Sequence, residues 1–129
     1  MARILVVDDN ATLAGAIRRI LERSGHEIRV APTGLEGARQ YREQAADLVL
    51  LDIHMPEMDG IEVLAQLRAI APTLPVIMMS GGVQTKSLDL LGDAVLLGAF
   101  ATLAKPFSIE ELLGVVARAL AAAPRADTG

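Results

Sequence analysis

Short apolar runs alternate along the chain with longer segments in which apolar residues recur every three or four positions. The short runs predict strands, and the helical spacing predicts amphipathic helices. The predicted strands lie at residues 3–7, 27–31, 48–51, 74–79 and 101–103. The predicted helices run from Asn10 to Gly25, from Thr33 or Gly34 through Tyr41, over residues 60–71 and 87–97, and from Ser108 onward. The pattern is therefore five repeats of a strand followed by a helix.

Residues that favour helix ends stand at the expected boundaries. Asn10 can cap the first helix, and Ser108 with Glu111 forms a capping box at the start of the last one. Gly25 and Gly98 follow helical segments at a position where glycine commonly ends a helix.

Two predicted strands, residues 48–51 and 74–79, are unbroken apolar runs rather than alternating ones. Such strands are typical of parallel sheets whose two faces are both covered by helices. The predicted fold class is therefore α/β: a doubly wound, five-stranded parallel sheet with helices on both faces. Because 129 residues suit one domain, we expect a single domain over residues 1–123 and a disordered tail over residues 124–129.

The composition is typical of a globular protein and argues against several other classes. Hydrophobic residues make up 52% of the chain and charged residues 22%, which suits a globular core. The net charge of −4 gives no general attraction to nucleic acid, so we expect no direct DNA binding. The absence of cysteine excludes disulfides and thiolate metal sites. Neither a signal-peptide core nor an apolar run of roughly 20 residues is present, so we expect a cytoplasmic protein that does not insert into membranes.

Polar and charged residues end four of the five predicted strands. Asp8 and Asp9 follow the first strand, Asp52 the third, Ser80 the fourth and Lys105 the fifth. The carboxyl ends of parallel strands meet at one edge of a sheet, where ligands of such folds bind. The sequence therefore predicts one pocket that holds three carboxylates, a hydroxyl group and an ammonium group.

This set of side chains suits a metal-assisted phosphoryl site. Three carboxylates repel one another, and a hard divalent cation such as Mg²⁺ relieves the repulsion. Lys105 and Ser80 add a positive charge and a hydroxyl donor, which suit the oxygens of a phosphoryl group. Asp52 is the best-placed nucleophile, because a buried strand holds it and the turn HMPEMDG after it leaves its oxygens open.

In this order and on these elements, the motifs resemble the receiver domain of two-component response regulators. The matching residues are Asp8-Asp9, Asp52 in LLDIHMPEMDG, Ser80-Gly81 and Lys105-Pro106-Phe107, and the resemblance covers residues 1–122. It implies the chemotaxis-regulator-like, flavodoxin-like (βα)5 fold with strand order 2-1-3-4-5. Pro106 also makes the Lys105–Pro106 bond a candidate for a cis peptide.

The resemblance implies a metal site and a phosphoacceptor. Asp52 would accept a phosphoryl group from a phosphohistidine on a sensor histidine kinase or a histidine phosphotransfer protein. Mg²⁺ would be bound directly by Asp9, by Asp52 and by the backbone carbonyl of His54, and through water by Asp8.

The resemblance also implies a conformational switch. Ser80 and Lys105 would contact the phosphoryl oxygens, and the switch region would comprise Ser80, Thr102 and Phe100. The family usually carries an aromatic residue three positions before the lysine, where this chain has Thr102, with Phe100 the nearest aromatic residue. A coupling between Ser80 and an aromatic side chain at that position is therefore not expected, and the output signal would travel by a different rearrangement.

Other functions fit parts of the pattern. A Mg²⁺-dependent phosphohydrolase also uses an aspartyl nucleophile, but typically carries a second acid two residues later, where this chain has His54. A receiver that works without phosphorylation is disfavoured by the intact acidic, hydroxyl and lysine positions. A receiver excised from a hybrid kinase or a longer regulator is a further alternative. We expect a stand-alone signalling module, catalysing only its own phosphorylation and dephosphorylation, with a downstream protein partner.

Overall fold

A computed structural model describes residues 2–53, 60–81 and 98–122. In chain order its elements are β1 (Arg3–Val7), α1 (Ala11–Arg23), β2 (Glu27–Ala31), α2 (Gly34–Glu43), β3 (Leu48–Asp52), α3 (Gly60–Ile70), β4 (Val76–Gly81), β5 (Ala101–Lys105) and α4 (Ile109–Ala122). The helix predicted over residues 87–97 and the tail over residues 124–129 lie outside the described residues. Each helix within the described ranges is too short or too polar to span a bilayer.

The five strands form one parallel sheet in the order β2-β1-β3-β4-β5. This confirms both the fold class predicted from the apolar runs and the strand order implied by the resemblance. The centre of the sheet is the apolar strand β3, which pairs with β1 on one side and β4 on the other. Because all strands are parallel, their carboxyl ends lie at one edge.

The core divides into two clusters, one on each face of the sheet. Alternate residues of β3 point to opposite faces, so Val49 and Leu51 join one cluster while Leu48 and Leu50 join the other. The first cluster includes buried residues of α2 and α3, and the second those of α1 and α4. Helices on both faces explain why β3 shows no polar alternation.

The helix ends follow the sequence signals. Asn10 and Thr33 cap α1 and α2 by accepting hydrogen bonds from the backbone N–H groups of Leu13 and Glu36. Ser108 and Glu111 form the reciprocal capping box, with both bonds at 3.0 Å. Gly25, just beyond α1, has a φ of 92°, a left-handed conformation that glycine adopts without strain.

Four strand ends differ from those predicted: β3 ends at Asp52, β4 begins at Val76 and ends at Gly81, and β5 ends at Lys105. β4 begins at Val76 rather than Leu74, because the N–H of Leu74 still bonds to the carbonyl of Ala71 and Pro75 has no N–H to donate. β5 extends to Lys105, beyond the apolar residues on which the prediction rested. Backbone pairing with β4 continues through Ala104 and Lys105, so both residues belong to the strand.

The close packing of α2 on β1 gives a stability prediction. A Cβ atom at Gly37 would lie 2.7 Å from Cγ2 of the buried Val7, so we expect Gly37→Ala to lower the free energy of unfolding by about 1–3 kcal/mol. At Gly15 in α1 the nearest atom would be the Arg19 guanidinium at 3.6 Å, and Gly15→Ala should raise stability by up to about 1 kcal/mol. Urea unfolding of both variants measures this. Shifts of the same sign would contradict the packing assigned to Gly37.

Candidate functional site

Two buried carboxylates stand at the carboxyl edge of the sheet. Asp8 directly follows β1 and is 1% exposed, and Asp52 is the last residue of β3 and is 5% exposed. The N–H of Asp8 donates to the carbonyl of Ala31, so the pairing of β1 with β2 continues through Asp8. The adjacent strands β1 and β3 therefore hold the two side chains next to each other on rigid backbone.

Lys105, the last residue of the edge strand β5, contacts both carboxylates. Its Nζ atom lies 2.9 Å from Oδ2 of Asp8 and 3.4 Å from Oδ2 of Asp52. The lysine side chain is 19% exposed and the Asp8 side chain is fully buried. The ammonium group supplies positive charge to two buried carboxylates, which offsets part of the cost of burying their negative charge.

A third carboxylate completes an acidic cluster. Carboxylate oxygens of Asp8, Asp9 and Asp52 all lie within 4.8 Å of one another, and Asp9 is exposed. Mg²⁺ takes oxygen ligands at about 2.0–2.1 Å, so two of its ligands stand roughly 3–4 Å apart. The spacing and the oxygen-only donor set fit such an ion, and three carboxylates against one ammonium leave an excess of negative charge to attract it.

Ser80 lies at the same edge of the sheet as this cluster. It is the penultimate residue of β4, is 1% exposed, and stands opposite Ala104 in β5. The next pair in register is Gly81 with Lys105, so Ser80 lies one residue before the level of Lys105 on the neighbouring strand. One continuous strand pairing thus fixes the backbones of both residues.

The two other residues of the expected switch region lie farther away. Thr102 is exposed and pairs with Met78, two positions before Ser80. Phe100 donates its N–H to the carbonyl of Val76, four positions before Ser80 or roughly 13 Å along the strand. Phe100 is 40% exposed and lines a cavity of about 150 Å³ at the opposite edge of the sheet. The structure therefore places Ser80 and Lys105 on neighbouring strands at one edge of the sheet, and Phe100 toward the opposite edge.

The predictions for the site also concerned His54 and the peptide bond after Lys105. His54, whose carbonyl the resemblance assigns to the metal, lies outside the described residues. The Lys105–Pro106 peptide bond is cis, as anticipated.

One contact was not predicted from the sequence: the backbone N–H of Asn10 donates to Oδ1 of Asp8 at 2.9 Å. The available signal was the helix-capping character of Asn10, which by itself indicates only a helix start.

Comparison with known proteins places these features in a family. A family model for the response regulator receiver domain matches residues 4–117. The chain is 38% identical over 120 residues to the chemotaxis protein CheY of Listeria monocytogenes, covering 92% of this chain and 98% of that protein. It is 36% identical over 118 residues to the transcriptional regulatory protein ZraR of Escherichia coli, covering 92% of this chain but only 26% of ZraR.

Solved structures agree with the sequence matches. A response regulator receiver domain protein from Clostridium thermocellum has a TM-score of 0.87 at 32% identity, covering 94% of this chain and 95% of that one. The receiver domain of NtrX from Brucella abortus has a TM-score of 0.85 at 33% identity, covering 93% and 99% respectively. With the family model spanning most of its length and full-length relatives matching its fold, the chain belongs to the response regulator receiver domain family.

Proposed function

We propose that Asp52 accepts a phosphoryl group from a phosphohistidine on a sensor histidine kinase or a histidine phosphotransfer protein. A receiver domain is a signalling module rather than a conventional enzyme, and the family match favours this role over a phosphohydrolase. The observation that carries the assignment is the position of the Lys105 ammonium, within 3.4 Å of both Asp8 and Asp52 at the carboxyl edge of the sheet. A positive charge held there stands close to where negative charge develops on a transferring phosphoryl group.

The proposed reaction assigns one task to each side chain. An Asp52 oxygen forms a bond to phosphorus while the bond from phosphorus to the donor imidazole nitrogen breaks, and the imidazole takes up a proton as it leaves. Lys105 moves its charge from the carboxylates to a phosphoryl oxygen, and the Ser80 hydroxyl donates to another. Hydrolysis of the resulting acyl phosphate by water restores the Asp52 carboxylate and resets the signal.

We assign the metal site to the acidic cluster. Asp9 and Asp52 would bind Mg²⁺ directly, with the carbonyl of His54, and Asp8 would bind through water. Both Asp8 oxygens already accept a hydrogen bond, from Asn10 and from Lys105, which supports the indirect role. When bound, the ion neutralises charge on the phosphoryl oxygens and offsets the repulsion among the carboxylates.

Metal binding predicts a thermal shift. Because Mg²⁺ binds only the folded cluster, a concentration 100 times its dissociation constant should add about 2.7 kcal/mol of stability, an upward shift of roughly 10 °C in Tm. Chelation should reverse the shift, and Asp9→Asn should greatly reduce it. Asp47→Asn, an exposed change before β3, should retain it. A Tm of the wild type that does not respond to Mg²⁺ at constant ionic strength would contradict the metal assignment.

Intact-protein mass spectrometry tests the proposed reaction itself. The wild type is incubated with a small acyl phosphate, with Mg²⁺ or with a chelator. We expect one phosphoryl adduct that forms only with Mg²⁺ and that decays after the donor is removed. An adduct that forms equally in chelator would contradict the proposed site.

A further inference from the structure

We propose that Asn10 is a positioning residue of the phosphorylation site: by capping α1 it holds the Asp8–Asp9 turn in the arrangement that binds the metal. This inference rests on the proposed function and concerns the affinity of the site for Mg²⁺. The residue lies directly after the acidic pair and is exposed, so its side chain is not needed for the core.

The first observation is that Asn10 makes three hydrogen bonds, one to Asp8 before it and two to the first turn of α1 after it. Its backbone N–H donates to Oδ1 of Asp8 at 2.9 Å, and its side-chain oxygen accepts a hydrogen bond from the N–H of Leu13 at 3.1 Å. Its carbonyl also accepts from the N–H of Ala14 at 2.9 Å. Asn10 therefore links the Asp8 carboxylate to the first turn of α1.

The second observation is that this first turn is firmly anchored. Ala14, Ile17 and Leu21 of α1 are buried against the sheet in the cluster that also contains Ile4 and Val6 of β1. The backbone of Asn10 has a φ of −83° and a ψ of 97°, the extended conformation usual for an N-cap residue. A loss of the cap would release the turn while leaving the packed part of the helix in place.

The third observation concerns Asp9. It is exposed, and none of the described residues donates a hydrogen bond to its carboxylate. Within the described part of the chain, the backbone of the turn between Asp8 and Asn10 therefore places its side chain. Asp8 is held in addition by the ion pair of its Oδ2 atom with Lys105, so Asp9 is the ligand whose position depends most on the cap.

A matched pair of capping variants separates this role from ordinary helix stabilisation. Thr33 caps α2 with a hydrogen bond of 3.1 Å from the N–H of Glu36 and has no contact with the acidic cluster among the described residues. Asn10→Ala and Thr33→Ala should each lower the free energy of unfolding in chelator, since both lose an N-cap. Asn10→Ser restores a capping oxygen and serves as the rescue variant.

Isothermal titration of each protein with Mg²⁺ gives the deciding readout. We expect the dissociation constant to rise on the order of tenfold in Asn10→Ala, the low end of the losses caused by removing outer-sphere groups of metal sites. It should stay at the wild-type value in Thr33→Ala and in Asn10→Ser. An unchanged Mg²⁺ affinity in Asn10→Ala, or an equal loss in Thr33→Ala, would overturn the inference while leaving the proposed function intact. If the wild type itself does not bind Mg²⁺, the proposed metal site and this inference both fail.

Discussion

Asp52→Asn should abolish phosphoryl uptake from a small acyl phosphate in the presence of Mg²⁺. The change keeps the size of a buried side chain but replaces the nucleophilic carboxylate by an amide, which does not form a stable acyl phosphate. It also removes a negative charge from a cluster of three carboxylates, so the variant should be no less stable than the wild type in chelator. Intact mass after a fixed incubation measures the uptake, and urea unfolding measures the stability.

The matched control is Asp47→Asn. Asp47 lies at the opposite end of β3 and accepts a hydrogen bond of 2.8 Å from the N–H of Arg3, which an asparagine oxygen can also accept. This variant should take up the phosphoryl group as the wild type does. Uptake by Asp52→Asn at the wild-type rate would show that another residue is the acceptor, whereas a loss in both variants would point to a general effect on the fold.

Lys105→Met should strongly lower both phosphoryl uptake and stability, because it removes the cation that two buried carboxylates share. We expect the rate of phosphoryl uptake to fall on the order of 10²–10³-fold, as when one fixed donor to a developing charge is removed. In chelator the free energy of unfolding should also fall by on the order of 3 kcal/mol, since a fully buried Asp8 side chain loses its counter-charge. The rate is followed by intact mass and the stability by urea unfolding.

Lys105→Arg separates the charge from the shape of this side chain. It keeps a positive charge on a longer, planar group, so it should preserve most of the stability and recover only part of the rate. Added Mg²⁺ should stabilise Lys105→Met more than the wild type, because the ion then relieves repulsion that the lysine no longer offsets. A Lys105→Met variant with wild-type uptake would remove the lysine from the proposed reaction.

The fold was largely predictable because burial on both faces of the sheet leaves a direct mark on the sequence. Strand β3 is fully buried and reads as an unbroken apolar run, and capping residues such as Asn10 and Ser108 mark where helices start. The carboxyl-terminal strand ends that the prediction missed are set by backbone pairing rather than by burial. Ser80 pairs with Ala104, and Lys105 pairs with Gly81, so both residues belong to strands. Their polar side chains give no sign of this pairing.

The structure brings Asp8, Asp9, Asp52 and Lys105 together as the sequence predicted, but the individual contacts among them were not predictable. Four of the five parallel strands carry a polar residue at or directly after the carboxyl end, and topology alone brings those ends together. That Lys105 pairs with both Asp8 and Asp52 depends on side-chain conformations across three strand spacings, which no local pattern encodes. The contact of Asn10 with Asp8 is a backbone hydrogen bond and leaves no mark on residue type. Phe100 shows the converse, since sequence proximity to Thr102 suggested a switch role while the register places it beside Val76.

The most direct test of the central claim is to locate the phosphoryl group after uptake. The wild type is phosphorylated with an acyl phosphate and Mg²⁺, then treated with borohydride, which reduces an aspartyl phosphate to homoserine, and digested for peptide mass mapping. We expect homoserine at position 52 and at no other aspartate. Homoserine at another position, or a labelled protein in which Asp52 is unmodified, would contradict the assignment of Asp52 as the phosphoacceptor.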